Sequence, residues 1–263
     1  MKTANWVIEM SRTQKAIATH CISVIFFLAV WYALSSILPG AFLPPPHSIV
    51  RSMYKIIVSG HFFKDMGLTL FRVIIGFGVA GAISTVIGVL MGIYFFFEKL
   101  FELEILVGLT IPGLIWVIIG ILIFGLSENV SIFSVSVVLI PTFTINIWEG
   151  MKSLDPKLIE MARVYKSSQW MIIQSIVIPQ LVPYIFAAVR FGLGVAWKVV
   201  VIAELFALGN GIGHQISNNF ELMNLGGVIS WAVLFCFTML GIEYGIVRPV
   251  EKRVTKWRMK GAF

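Results

Sequence analysis

Three ionisable side chains, Arg190, Lys198 and Glu204, interrupt the otherwise apolar stretch at about residues 183–208. Charges inside a membrane-spanning helix are costly and usually face a cavity or a partner. At the helical rise per residue, Lys198 lies about 12 Å beyond Arg190 and close to the centre of a bilayer. A cation at that depth could stabilise an anion in transit. It could equally form a structural pair with Glu204, or with Glu149 of another helix, and the residues alone leave both roles open.

No constellation for catalysis accompanies these charges. The sequence lacks a phosphate-binding loop of the form GxxxxGK[ST], so we do not expect this chain to bind ATP. No Ser/His/Asp arrangement, paired carboxylates or metal-ligand cluster stands out. The four histidines are scattered along the chain, at His20, His47, His61 and His214. We therefore expect neither an enzyme nor a metal or cofactor site, and any energy source must lie in a partner chain.

The composition is that of a helical membrane protein. Hydrophobic residues make up 58% of the chain and charged residues 13%, with a mean hydropathy of +0.93. Soluble domains carry about 25% charged residues. Several apolar runs exceed about 18 residues, which is long enough to cross a bilayer as a helix. The formal net charge of +7 resides at the chain ends and between the runs, which indicates contact with membrane lipid headgroups and not with nucleic acid.

The apolar runs predict an all-α polytopic protein with about six spans. We place these spans at about residues 17–38, 67–97, 103–124, 130–148, 183–208 and 225–247. One membrane domain, 1–263, then consists of a tail (1–16), spans one to four (17–150), a polar loop (151–182), spans five and six (183–247) and a basic tail (248–263). Basic residues in both tails and in the loop predict that all three are cytoplasmic, which leaves Arg190 near the cytoplasmic end of its span.

The polar loop contains a short amphipathic helix. Asp155 can cap its first amide groups, and Pro156 suits the first helical position. A second short piece, Trp170 to Ile178, is expected to stop at Pro179. Leu158, Met161 or Ala162, and Tyr165 share one face of the first helix. Such a helix between spans predicts a groove on a partner protein as its receiver, the alternative being that it lies on lipid headgroups.

The same loop resembles the EAA loop of bacterial ABC importer permeases, E-A-A-x3-G-x9-I-x-L-P. The positions that match are Glu160, Ala162, Ile176 and Pro179, with Met161 and Ile178 as mild replacements. Lys166 stands where the family has glycine, so the turn after the helix must be made by Lys166 in a strained conformation or move to the following serines. The resemblance implies a type I importer permease fold and a bacterial inner-membrane location.

In that family this loop is the coupling helix, which docks in a groove of a cytoplasmic ATPase. The residues to which the resemblance assigns docking are Leu158, Glu160, Met161, Ala162, Arg163, Tyr165, Lys166, Ile176 and Pro179. It further implies ATP and Mg in that partner, a second copy of the permease, and a periplasmic or lipid-anchored substrate-binding protein.

Further stretches, between residues 40 and 257, resemble the branch of these permeases that imports nitrate, sulfonates and taurine. They include Arg72 and Gly76 in LFRVIIGF, the FGLSE segment that ends at Glu128, Ala203-Glu204, and Gly211-Ile212-Gly213. The resemblance implies a small anion as substrate. Related permeases carry vitamin precursors or aromatic compounds, and an ATPase-independent secondary transporter is the alternative from another class.

Our hypothesis for the path is that Lys198, with Trp197 and Asn146, stabilises an anion in transit. Trp116 of the third span is included as a pathway residue. Glu204, near the outer mouth, is assigned either to the path and docking of the binding protein or to a structural pair.

Overall fold

The computed structural model describes residues 12–37 and 43–254, which form ten helices and no strand. They are α1 (Arg12–Ile37), α2 (Pro46–Val58), α3 (His61–Ile93), α4 (Phe95–Thr110), α5 (Gly113–Phe124), α6 (Glu128–Lys152), α7 (Pro156–Val164), α8 (Gln169–Ala207), α9 (Ile212–Glu221) and α10 (Leu225–Val254). One π-helical turn lies in α8, over Ile173–Val177, and one in α10, over Glu243–Val247. The outermost parts of both predicted tails, 1–11 and 255–263, lie outside the described residues.

Within the described residues, α3, α6, α8 and α10 are long and apolar enough to cross a membrane. The pair α4 and α5 passes the same test of length and apolarity only as a unit, and it adds a fifth crossing if it is counted as one broken span. The helix α1 carries a shorter apolar stretch, Ile22–Ile37. The predicted all-helical polytopic fold is confirmed.

The third span, predicted at about residues 103–124, begins earlier and is interrupted. It is a pair of helices, α4 and α5, bent by 99°. The break lies at Ile111 and Pro112, which are both extended (ψ of 121° and 137°). Proline has no N–H donor and disfavours the helical conformation of the residue before it. The second span correspondingly ends at Ile93, because Tyr94 is extended with ψ of 118°.

The fifth span also differs from its prediction. We expected Trp170–Ile178 to be a separate piece that stops at Pro179, but it is the first part of α8, a helix of 39 residues. The N–H of Ile178 donates to the carbonyl of Ile173, five residues back. Pro179 has no backbone N–H to donate. It directly follows a turn in which the backbone bonds reach five residues back instead of four, and the helix continues past it.

The other elements follow the prediction more closely. The amphipathic pattern of the sequence from His47 to Gly60 predicts a short helix, and the structure has α2 there. The polar, glycine-rich sequence from Gly209 to Met223 predicts an outer segment between the last two spans, and this segment contains the helix α9. The sixth span does not end at Val247, since α10 continues to Val254.

The core of the fold is α6, which packs along α3 on one side and α8 on another. Val135, Leu139 and Phe143 of α6 are buried there. Glycines of α3 allow the close approach, because a Cβ at Gly88 would lie 2.9 Å from Cβ of Ile147. The many small residues in the sequence of the second span predict close helix packing, and the contact at Gly88 confirms it.

Replacing Gly88 by alanine tests this contact. We expect Gly88→Ala to lower the melting temperature of the purified protein, because the added methyl would also lie 3.1 Å from the Thr144 carbonyl oxygen and such overpacking costs about 1–3 kcal/mol. Gly81→Ala is the matched control, since nothing lies within 4 Å of a Cβ at that position. Equal melting temperatures for the two variants would show that the contact between α3 and α6 at Gly88 accommodates a methyl group without loss of stability.

Candidate coupling surface and translocation path

The short helix α7, between the fourth and fifth spans, begins as its sequence predicts. Asp155 accepts a hydrogen bond from the Lys157 backbone N–H at 2.9 Å, and Pro156 occupies the first helical turn. The backbone N–H of Asp155 donates to Oε1 of Gln180 at 3.1 Å. This last bond connects the start of α7 directly to the fifth span.

The C-terminal end of α7 depends on Lys166. Its φ is +51°, in the left-handed region that favours glycine. The Lys166 N–H donates to the Arg163 carbonyl at 2.9 Å and the Ser167 N–H to the Ala162 carbonyl at 3.0 Å. This is the hydrogen-bond pattern of a Schellman motif. Of the two alternatives that the sequence left open, the structure has the turn at Lys166 itself, and the turn does not move to the serines.

The helix leaves an apolar surface uncovered, which we call the α7 surface: Leu158, Met161, Val164 and Tyr165. Met161 is 51% exposed, Tyr165 78% and Val164 80%. Among the other residues of the EAA-like loop, Glu160, Arg163 and Lys166 are exposed, Ile176 and Pro179 are half-buried, and Ala162 is buried. Ala162 therefore packs inside its own chain, while its neighbours on the helix face outward.

At the far end of α8, a buried ion pair joins two spans. Arg72 of α3 and Glu204 of α8 are both fully buried, and Nη1 of Arg72 lies 2.7 Å from Oε1 of Glu204. The other carboxylate oxygen accepts hydrogen bonds from the Thr69 hydroxyl and the Gly213 N–H, each at 2.9 Å. Nη2 of Arg72 also reaches the half-exposed Glu128 at 3.1 Å. A buried pair is stable only when such further bonds satisfy it.

The outer segment is bound to the same place. Asp65 accepts from the Gly211 N–H at 3.1 Å and from Nε2 of Gln215 at 2.8 Å. The Ile212 N–H donates to the Thr69 hydroxyl at 3.1 Å, and Arg72 bonds to Asn210. We call Asp65, Thr69, Arg72, Glu204 and residues 210–213 the Arg72 network.

Two glycines make the network possible. Gly211 has a φ of +98°, and a Cβ there would overlap the Glu204 carboxylate. A Cβ at Gly213 would overlap the Val201 carbonyl oxygen. Both positions therefore need glycine, because the loop backbone approaches α8 closely.

The proposed pathway residues do not form one cluster. Lys198 is exposed, whereas Trp197 is buried and contacts the Phe235 ring, with centroids 6.0 Å apart. Asn146 is half-buried and donates to its own helix, to the Thr142 carbonyl, at 2.8 Å. In the described residues no hydrogen bond or ion pair connects Lys198 to Asn146, Trp116, Glu149 or Glu204. Glu204 does form a structural pair, but its partner is Arg72.

Arg190 pairs with the last helix. Its Nε lies 3.5 Å from Oε1 of Glu243, and its Nη1 lies 3.3 Å from Oε2 of Glu251. An arginine near the cytoplasmic end of a span is expected, from the sequence alone, either to extend to the membrane interface or to pair with the coupling loop. The structure pairs it with α10.

Residues 84–255 match the family model described as binding-protein-dependent transport system inner membrane component. This chain belongs to that family. It is 31% identical to the nitrate import permease protein NrtB of Synechococcus elongatus, over 92% of this chain and 88% of NrtB. It is 28% identical to SsuC of Bacillus subtilis, named for aliphatic sulfonates transport, over 88% of this chain and 84% of SsuC.

The fold agrees with that membership. A structure of the MetNI methionine ABC transporter superposes with a TM-score of 0.62 at 17% identity, over 73% of this chain and 95% of the other. The predicted resemblance to ABC importer permeases is confirmed, and the chain is a transport subunit of multi-pass, inner-membrane type. The family implies, in general terms, an ATPase and a substrate-binding protein as partners.

The main residue that sequence reasoning did not assign in this permease is Arg72. It was noted only as part of a matching motif, although it is a charge within an apolar run and so requires a partner. That signal, applied together to Arg72 and Glu204, would have suggested the pair. The roles of Asp65 and Thr69 had no comparable signal.

Glu204→Gln tests the buried pair. We expect a large fall in the melting temperature, because fully buried Arg72 would lose its buried anionic partner and breaking such a pair costs about 3–5 kcal/mol. Glu128→Gln is the matched control, since it touches the same guanidinium through a side chain that is 52% exposed, and such contacts contribute about 0–1 kcal/mol. Similar losses in the two variants would contradict the central position of Glu204.

Proposed function

We propose that this permease is the membrane-spanning subunit of an ATP-driven importer of small anions. The observation that carries the proposal is the α7 surface, an uncovered apolar patch on a capped helix between two spans. Helices that present such a face commonly dock in a groove of another protein. The partner would be the cytoplasmic ATPase, which would bind ATP and Mg. Both termini of the permease would be cytoplasmic.

The structure offers a route from that surface to the path. Asp155 at the start of α7 is hydrogen-bonded to Gln180, and Gln180 belongs to α8. The 39 residues of α8 extend over about 58 Å, past Lys198 to Glu204. Closure of the ATPases would displace α7 and thereby the fifth span, switching access between the two sides of the membrane.

Lys198 supports an anion as the substrate. It is exposed on a spanning helix between the buried residues Trp197 and Val199, and an ammonium group is not stable against lipid tails. A second copy of the permease would cover this face and enclose a path that holds the ammonium group. The names of the relatives, nitrate import for NrtB and aliphatic sulfonates transport for SsuC, agree with that charge.

Native mass spectrometry of the gently purified complex tests the assembly. We expect a mass that fits two copies of this chain and two ATPase subunits. A bare monomer or homo-oligomer that still transports after reconstitution would overturn the proposal in favour of a secondary transporter.

Glu160→Lys tests docking. Because Glu160 is exposed on α7, the substitution should leave the fold intact while placing a repelling charge beside the α7 surface. We expect loss of the ATPase from the purified complex and at least a tenfold fall in ATP-dependent uptake. Glu221→Lys, the same change at an exposed position of α9, is the control and should keep the ATPase. If Glu160→Lys retained both the ATPase and uptake, α7 would not be the docking element.

Lys198→Leu tests the path. We expect uptake of the anion to fall at least tenfold at unchanged expression and unchanged ATPase association, because the exposed cation is removed. Lys198→Arg keeps the charge and should retain a substantial part of the uptake. Normal uptake by Lys198→Leu would remove Lys198 from the path.

A further inference from the structure

A groove between α8 and α10 has no role in the function proposed so far. Its volume is about 520 Å³, within the range of small-molecule sites. The walls are mostly apolar: Phe191, Leu193, Trp197, Met239, Leu240 and Ile242. The charged residues of the lining are Arg190 and Glu243. An apolar groove with one charged corner suits a ligand with a polar head and an apolar body.

Arg190 has donors to spare. A guanidinium offers five N–H groups, yet the contacts of Arg190 with Glu243 and Glu251 are long, at 3.3–3.5 Å, and use only Nε and Nη1. Good N–H···O bonds are about 2.7–3.2 Å long. In the described residues Nη2 has no partner. Glu243 is also shared with Arg248, at 3.4 Å. The carboxylates therefore hold Arg190 loosely, and an anion can compete for it.

The groove lies beside the proposed transport lysine. Gly194 belongs to its wall, and a Cβ there would have no neighbour within 4 Å, so the backbone of α8 is open at this point. Trp197, at one end of the groove, directly precedes Lys198. Arg190 lies about 12 Å from Lys198 along α8, on the side towards α7. In the proposed orientation this direction leads to the cytoplasm.

We propose that this groove binds a small organic anion with an apolar chain, with the acid group on Arg190 and the chain against Trp197 and Met239. An alkanesulfonate is the simplest such compound. Nitrate fits poorly, because it has no apolar part to bury in these walls. Glu243 and Glu251 replace the anion on Arg190 when it leaves. On the transport route, the groove would be the site from which the anion is released to the cytoplasm, and this part of the inference rests on the proposed function.

Binding to the full chain in phosphatidylcholine nanodiscs tests the site without ATP or an ATPase. Equilibrium dialysis would compare labelled butanesulfonate, hexanesulfonate and nitrate, with empty nanodiscs as blank. We expect saturable binding that strengthens about fourfold for each added methylene, and nitrate binding that is at least tenfold weaker than that of hexanesulfonate.

Variants separate a binding site from a mere ion pair. Arg190→Gln should weaken hexanesulfonate binding at least tenfold, whereas Glu243→Gln should leave it equal or tighter, because a competitor for Arg190 is removed. Arg253→Gln is the matched control: it removes an exposed arginine of α10 that does not line the groove, and it should bind normally. If Arg190→Gln and Glu243→Gln weakened binding alike, the cluster would be structural and the inference would be wrong.

Two further outcomes would overturn the assignment. One is equal affinity for nitrate and hexanesulfonate. The other is a phosphatidylglycerol molecule retained in native mass spectra and lost in Arg190→Gln, with no alkanesulfonate binding, which would make the groove a lipid site. Since the assay needs neither ATP nor partners, its failure leaves the assembly and uptake experiments unaffected. Failure of those experiments likewise leaves the binding result standing.

Discussion

The burial of Arg72 and Glu204 is the constraint on which the outer half of the molecule depends. Removing two charges from water is costly, and their attraction compensates only when further hydrogen bonds accompany the pair. Here those bonds come from Thr69 of α3, from the Asn210 carbonyl before α9 and from the Gly213 N–H at the start of α9. Nε of Arg72 has no hydrogen-bond partner in the described residues. The two spans and the outer segment therefore cannot change their relative register without exposing or orphaning a charge.

In the proposed transport cycle, the fifth span would have one fixed end and one adaptable end. Glu204 holds α8 in the Arg72 network, while its other end carries the π-helical turn over Ile173–Val177 and the bond from Gln180 to α7. α10 likewise carries its π turn near the end that pairs with Arg190. Such turns often mark functional places in helices. In the proposed cycle, movement received from the ATPase would enter at the adaptable ends, and the Arg72 network would act as the fixed point.

The sequence predicted best what short-range interactions decide. The cap at Asp155 and the turn at Lys166 involve residues within a few positions of each other, so α7 could be placed with its ends. The break at Pro112 and the continuation of α8 through Pro179 follow from the same proline chemistry with opposite results. Which result occurs depends on the surrounding hydrogen bonds. The pair of Arg72 and Glu204 joins residues 132 positions apart, so no local pattern encodes the contact, and the only signal for it is that each residue is a charge within an apolar run.

The single chain leaves two surfaces of different chemistry uncovered. The α7 surface is apolar and lies in a loop between spans, whereas Lys198 is a charge that is uncovered on a span. One partner cannot satisfy both, since a groove that takes apolar side chains does not stabilise an ammonium group within a bilayer. A secondary transporter that works alone would need neither surface. An importer with a docked ATPase and a paired permease needs both, and this requirement is why we favour it.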